Sequence, residues 1–256
     1  YISKLDKSIK FILTNTISGF DSHIFAKQLQ ESGYKIINVM HGLTSSFLNK
    51  IHLNHNESEN SDLTLCFNKS EKDMFLDLIA NKLVKPISVP QEAKKKRLKF
   101  VKRFFANKIL KIKDEINIFY PSIIYPYNNV TVYGFRYSDK WNFEFEKKMI
   151  SLLSDVNKRA IYKNYPMRSY VDPNSLIEYA KSFDNIKVIN ENFDFRYVSS
   201  LGDIFILGSI GFSSTLTWML GENKPIIYLD TSKSRKVNKK GKEILQKSLI
   251  VINIDE

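Results

Sequence analysis

The residues most able to do chemistry lie between Gly208 and Asp230, where the chain reads GSIGFSSTLTWMLGENKPIIYLD. Ser209, Ser213, Ser214 and Thr215 put four hydroxyls directly after an apolar run, just where a helical pattern begins. The first turn of a helix carries unpaired backbone N–H groups and the positive end of the helix dipole. Hydroxyls there add donors at the same point, and a phosphate or pyrophosphate would sit well on it. The plainer alternative is that Ser213 only caps the helix, as serines commonly do.

Three further constellations stand out. His41 follows the apolar run Ile36–Met40 and precedes Gly42, with Thr44 close behind. A histidine at the end of a strand can act as a base near neutral pH or hydrogen-bond a phosphate; it can equally be satisfied by a neighbouring carbonyl. In Ile161-Tyr162-Lys163-Asn164-Tyr165-Pro166-Met167-Arg168 a strand delivers Lys163 to its end, and Tyr165 and Arg168 follow. Two cations there suit a phosphate. The loop after Tyr120-Pro121, with Ser122 and Tyr125, suits contact with a sugar by stacking and hydrogen bonds, and suits an ordinary loop as well. His23, His52 and His55 have no such placement, and no cluster has zinc-ligand spacing.

These residues need strands that end together. The first half reads as a strand at Lys10–Asn15, a helix over Asp21–Ser32 capped by Asp21 or Ser22 and ended by Gly33, and a strand at Tyr34–Met40. Then come a strand at Leu63–Phe67, a helix over Ser70–Asn81 and a strand at Ile87–Val89. The second half alternates strands at 116–121, 160–163, 186–189, 203–207 and 225–229 with helices over 139–155, 175–183, 195–200 and 213–221. Alternation of this kind describes an α/β chain with two Rossmann-like, doubly wound parallel sheets. The expected boundaries are 1–113 and 114–256.

The 256 residues carry 39 Lys and Arg against 27 Asp and Glu, a formal charge of +12. That excess suits nucleic acid, an anionic membrane or a phosphate-bearing substrate; no zinc-finger or RNA-recognition signature supports the first. Ten cations between Lys94 and Lys113 stand near a single acid, Glu92, with Leu98, Val101, Phe105, Ile109 and Ile112 at helical spacing. This reads as a basic helix that covers a sheet or bridges two domains, or else as one lying on an anionic leaflet. No run approaches the roughly 18–20 apolar residues needed to cross a bilayer. The lone Cys66 excludes an internal disulfide and fits a reducing, cytoplasmic setting.

In this order and spacing the motifs resemble bacterial surface-polysaccharide transferases of the GT-B type, nearest to CDP-glycerol glycerophosphotransferases and to capsule and lipopolysaccharide Kdo transferases. The matching elements are Val39-Met40-His41-Gly42, Lys163-Asn164-Tyr165-Pro166, the aspartate-led strand at Asp203, Ser213-Ser214-Thr215 and Lys224-Pro225-Ile226. The resemblance implies a transferase that takes a sugar or glycerol phosphate from a CMP-, CDP- or UDP-linked donor to a glycan or lipid-linked acceptor, with the active site in the cleft between two domains. It assigns nucleotide binding to Lys163, Ser213, Ser214 and Thr215, and Tyr165, Arg168 and Ser209 join them as expected contacts from their places in the same two segments. His41 would be the base or a phosphate contact, and Gly42, Thr44, Ser122 and Tyr125 would touch substrate. Cofactor and metal are not expected, because helix N-termini and cations stabilise the leaving phosphate. Two departures stand out. Leu216-Thr217-Trp218-Met219 replaces the stretch that carries a ribose-binding glutamate in many members, and the first domain begins just before a single βαβ unit, so it is expected to be incomplete. A sugar-nucleotide epimerase and a non-catalytic binding or scaffold protein remain as alternatives.

Overall fold

The computed structural model describes residues 8, 10–15, 17, 20–40, 59–66, 69, 72–73, 84–86, 103–105, 107–110, 116–122, 139–164, 175–190, 194–208, 214–231 and 237–254. The chain divides into two compact units, Tyr1–Gln91 with Lys236–Ile244, and Glu92–Arg235 with Leu245–Glu256.

The first unit holds a four-stranded parallel sheet, β1 (Phe11–Asn15), β2 (Lys35–Val39), β3 (Leu63–Cys66) and β4 (Val84–Pro86), in that order. Helix α1 (Phe20–Glu31) links β1 to β2. It begins at Phe20, so Asp21 and Ser22 lie inside its first turn and not at the cap. Its other end is as expected. Gly33 has φ +89°, the Gly33 N–H donates to Gln30 O and the Tyr34 N–H to Leu29 O, at 3.0 and 3.1 Å. This pair of bonds satisfies carbonyls that the helix leaves open and needs a left-handed residue at the turn. Leu29 and Tyr34 then pack with Ile17, Ala26 and Ile36. The fourth strand lies three residues before the apolar run Ile87–Val89, which is outside the described residues. Pro86 has no N–H to give, and an edge strand tolerates that.

The second unit holds a six-stranded, all-parallel sheet. Its strands are β5 (Asn117–Pro121), β6 (Arg159–Lys163), β7 (Ile186–Ile189), β8 (Ile204–Leu207), β9 (Ile226–Asp230) and β10 (Ile250–Asn253), in the order β10-β9-β8-β5-β6-β7. The helices are α2 (Asp139–Ser154), α3 (Ser175–Lys181), α4 (Phe195–Val198), α5 (Ser214–Glu222) and α6 (Lys239–Ser248), of which α6 joins this unit only from Leu245, its earlier residues grouping with the first unit. Parallel strands need crossovers, and the helices supply them. α6 and β10 were not expected: their stretch carries so many lysines that the apolar positions Leu245 and Leu249, both buried, are hard to see.

One face of this sheet packs Tyr120, Ala160 and Tyr162 against Met149, Ile150 and Leu153 of α2 and Leu176 and Ala180 of α3. The expected apolar stripe of α2 is therefore its core stripe, but Asn142 and Glu146 share the burial at 0% exposure. The Tyr162 hydroxyl donates to Glu146 Oε2 at 3.0 Å, the partner a buried carboxylate requires. A second aromatic group joins Phe119, Phe195 and Phe205, with centroids 5.3 to 6.1 Å apart.

The basic segment 92–113, expected to close the first domain, groups with the second unit. Arg103 shows why. Its guanidinium donates to both carboxylate oxygens of Asp203, at 2.7 and 3.2 Å. The expected apolar stripe does not face inward here: Leu110 is buried, whereas Phe105 and Ile109 are exposed. The ion pair, not the stripe, selects the inward side. Among the described residues no helix is long and apolar enough to cross a membrane.

Candidate functional site

The strand order of the second sheet locates its crevice. The chain starts in the middle at β5, moves outward through β6 and β7, returns to β8, and moves outward the other way through β9 and β10. The reversal falls between β5 and β8. At such a point the connections leaving the two strands run to opposite sides of the sheet, and ligands bind outside the carboxyl ends.

The ladders show the sheet opening there. β5 pairs with β6 as far as Pro121↔Lys163, and β8 pairs with β9 as far as Leu207↔Tyr228. Between them, β5 and β8 pair only to Phe119↔Phe205. The central strands thus lose their bridge two residues before their neighbours do, at the carboxyl edge.

The edge is polar where the core below is not. The Ser122 N–H donates to Lys163 O at 2.8 Å, and the Asn164 N–H to Ile189 O at 2.9 Å. These bonds hold the ends of β5, β6 and β7 level. Ser122, Lys163 and Asn164 are all buried, at 8%, 3% and 8% exposure. Lys163 Nζ donates to Asn164 O at 2.8 Å, and Asn164 Nδ2 to Asn190 Oδ1 at 2.8 Å. A buried ammonium must be hydrogen-bonded to be tolerated, and here the strand end itself accepts. On the other side of the reversal, β8 gives way to α5, which begins at Ser214. Thr215 is half-buried in its first turn, and Leu216 and Met219 are fully buried.

Of the expected nucleotide-binding residues, the fold brings Lys163 to the carboxyl edge and puts Ser214 and Thr215 at the start of the helix after β8. Of the expected substrate residues, it puts Ser122 beside Lys163. Tyr165, Arg168, Ser209 and Ser213 lie outside the described residues, as do His41, Gly42, Thr44 and Tyr125. Sequence reasoning passed over Asn164 and Asn190 as site residues. For Asn164 the available signal was its place immediately after a buried strand.

Two other motif residues sit elsewhere. Asp203 precedes β8, and Lys224 precedes β9, so both belong to the amino edge of the sheet. Lys224 Nζ donates to Asp203 Oδ1 at 3.1 Å and also to Gly202 O. Burial alone would raise the Asp203 pKa; the Arg103 guanidinium, the Asn117 N–H and the Lys224 ammonium outweigh it and hold the carboxyl below its usual range. The next glutamate along α5, Glu222, accepts from Ser199 Oγ at 2.6 Å, an anchor between two structural elements. No group of metal-ligating side chains occurs among the described residues.

No protein-family model and no curated protein sequence matches the chain. Among solved structures it is similar to Anabaena Alr3699/HepE in complex with UDP and glucose, with TM-score 0.45, 11% identity, and coverage of 86% of this chain and 59% of that one. It is also similar to a UDP-glucosyltransferase from Polygonum tinctorium capable of glucosylating indoxyl, with TM-score 0.48, 11% identity, and coverage of 94% and 61%. The chain spans about three fifths of the length of each.

Proposed function

We propose that the second unit binds the nucleotide of an activated donor, and that the chain belongs to a GT-B-like transferase moving a sugar or glycerol phosphate to a surface-glycan acceptor. The observation that carries this reading is the early end of the β5–β8 ladder at the strand-order reversal, flanked by buried Lys163 and by the start of α5. The donor phosphates would accept from the first-turn N–H groups of α5, with Ser213, Ser214 and Thr215 adding hydroxyls. Lys163 would meet the charge that develops on the leaving phosphate, with Tyr165, Arg168 and Ser209 as further contacts. Ser122 and Tyr125 would touch the transferred group. His41, with Gly42 and Thr44, would serve the acceptor as base or phosphate contact. On this reading the donor is a CMP-, CDP- or UDP-linked substrate, the acceptor a glycan or lipid-linked glycan, and no metal is required.

Thermal-shift titration with CMP, CDP, UDP and GDP tests it. At least one nucleotide is expected to raise the unfolding midpoint in the way ligands of the native state do. Lys163→Gln and Ser214→Ala should abolish that rise, and His41→Ala should leave it intact. If none of the four shifts the midpoint, the reading fails.

Binding without turnover is a second reading, favoured by one observation. The stretch Leu216–Met219, which stands where many GT-B members carry a ribose-binding glutamate, holds no carboxylate, and Leu216 and Met219 are packed in the core. A nucleotide-dependent midpoint shift without release of the nucleotide from any activated donor would select this reading.

A further inference from the structure

The helical residues 103–105 and 107–110 turn two chemically different sides outward and inward. Arg103, Asn107 and Leu110 follow the i, i+4, i+7 spacing of one helix face. Arg103 is tied to Asp203 and Leu110 is buried at 6% exposure. The remaining side chains point to solvent. Phe104 is 56% exposed, Phe105 55% and Ile109 67%, with Lys108 exposed beside them. The two phenylalanine rings stand edge to face, 5.8 Å apart. They form one apolar knob on the side opposite the ion pair.

The surrounding sequence narrows what can cover that knob. From Glu92 to Lys113 there are ten Lys and Arg residues and one acid. A nucleic-acid duplex, its bases stacked within, would answer the charge and leave the rings in water, and a single strand that stacks its bases on the rings is the rival occupant that the test below separates. An uncharged protein groove would answer the rings and leave the charge. An anionic bilayer surface answers both, because headgroups attract the lysines while the acyl boundary receives the rings.

We propose that residues 103–110 form a membrane-docking element that inserts Phe104, Phe105 and Ile109 into the interface of a bilayer bearing anionic lipid. The ion pair with Asp203 ties the element to the second unit. The proposal is independent of the transferase reading, since it needs no nucleotide.

Sedimentation of the full chain with vesicles tests it. Vesicles of phosphatidylcholine mixed with phosphatidylglycerol should carry the protein down, and vesicles of phosphatidylcholine alone should not. The double variant Phe105→Ser/Ile109→Ser and the single variant Lys108→Glu should each bind anionic vesicles more weakly, the double variant by about tenfold or more. All three positions are exposed, so the unfolding midpoint should not move. Phe105→Trp keeps the apolar face, and anionic vesicles should shift the emission of the added indole to the blue. Each of the following results would overturn the idea. One is equal binding to both vesicle types. Another is undiminished binding by Phe105→Ser/Ile109→Ser, which would mean simple attraction of opposite charges. The last is emission from Phe105→Trp that vesicles leave unchanged. Tight capture of a nucleic-acid probe with no vesicle binding would also count against it.

Discussion

Asp203 and Lys224, the first residues of two recognisable motifs, are bonded to each other at 3.1 Å at the amino edge of the second sheet. Asp203 also takes both prongs of Arg103 and, at 3.0 Å, the N–H of Asn117. One carboxylate thus ties the starts of β5, β8 and β9 to the basic segment. These motif residues hold the sheet together at the end opposite the candidate site.

Removing that carboxylate should be costly. Asp203→Ala removes the bonds that this carboxylate accepts from Arg103, Lys224 and the Asn117 N–H, while Lys224 keeps its bond to Gly202 O, and bonds to charged groups are each worth about 1.5–3 kcal/mol. A loss of at least about 2 kcal/mol in urea unfolding is expected on that basis. Lys35→Met breaks the ion pair with Asp62, whose lysine is 63% exposed. It should cost under about 0.5 kcal/mol. Equal losses for the two variants would refute the assignment of Asp203 as a structural hub.

The same carboxylate sets an acid limit. Asp203 is held below its ordinary range. So is Asp62, where burial would raise the pKa but the Ile36 N–H, Gln30 and Lys35 prevail. A group whose folded pKa is depressed contributes stability above its unfolded pKa, and that contribution is lost as pH falls through the folded value. The midpoint gap between the wild type and Asp203→Asn should be widest near neutrality and close below about pH 4. A gap that stays constant into that range, or closes above pH 5, would contradict the pairing.

Gly202 is required by space. A Cβ built there meets Phe205 Cε1 at 2.6 Å and Phe119 Cβ at 2.7 Å. Gly202→Ala must push apart the aromatic group under the strand-order reversal, at a cost of about 1–3 kcal/mol. Gly221→Ala, where a Cβ meets nothing within 4 Å, is the control and should be neutral or mildly stabilising in the same unfolding assay.

Asn185 closes the end of α2. Its side-chain amide lies 3.0 Å from both Leu153 O and Val156 O, with Ser154 O and Lys158 O slightly further. It serves carbonyls that a helix end leaves unpaired. Asn185→Ala should lower stability by about 1–2 kcal/mol. Hydrogen exchange should show the loss concentrated in the last turn of α2; uniform loss across the sheet would point to a different role.

Much of the candidate site was legible because the position of a residue at the end of a strand is a local property. The strands read at 116–121 and 160–163 place Ser122 just past, and Lys163 at, the end of buried backbone, and the hydroxyls before Leu216 mark a helix start. Asn190 was not legible: nothing local says that β7 ends level with β6. The stripe of α2 was read from its apolar members, so Asn142 and Glu146 were missed. Whether a polar residue on that stripe is buried depends on a partner such as Tyr162 from another element.

The sequence by itself determined the alternation of strands and helices, the turn at Gly33 and the excess of positive charge. Each of these follows from side-chain period, backbone freedom or composition over a few residues. Only the tertiary structure decided the strand order, and with it the place where the central ladder parts, because pairing between distant strands is chosen by the packing of whole faces. It also decided that Phe105 and Ile109 face outward. A single long-range ion pair, from Arg103 to Asp203, outranked the local pattern there, since one helix can present only one side to the body it is bound to.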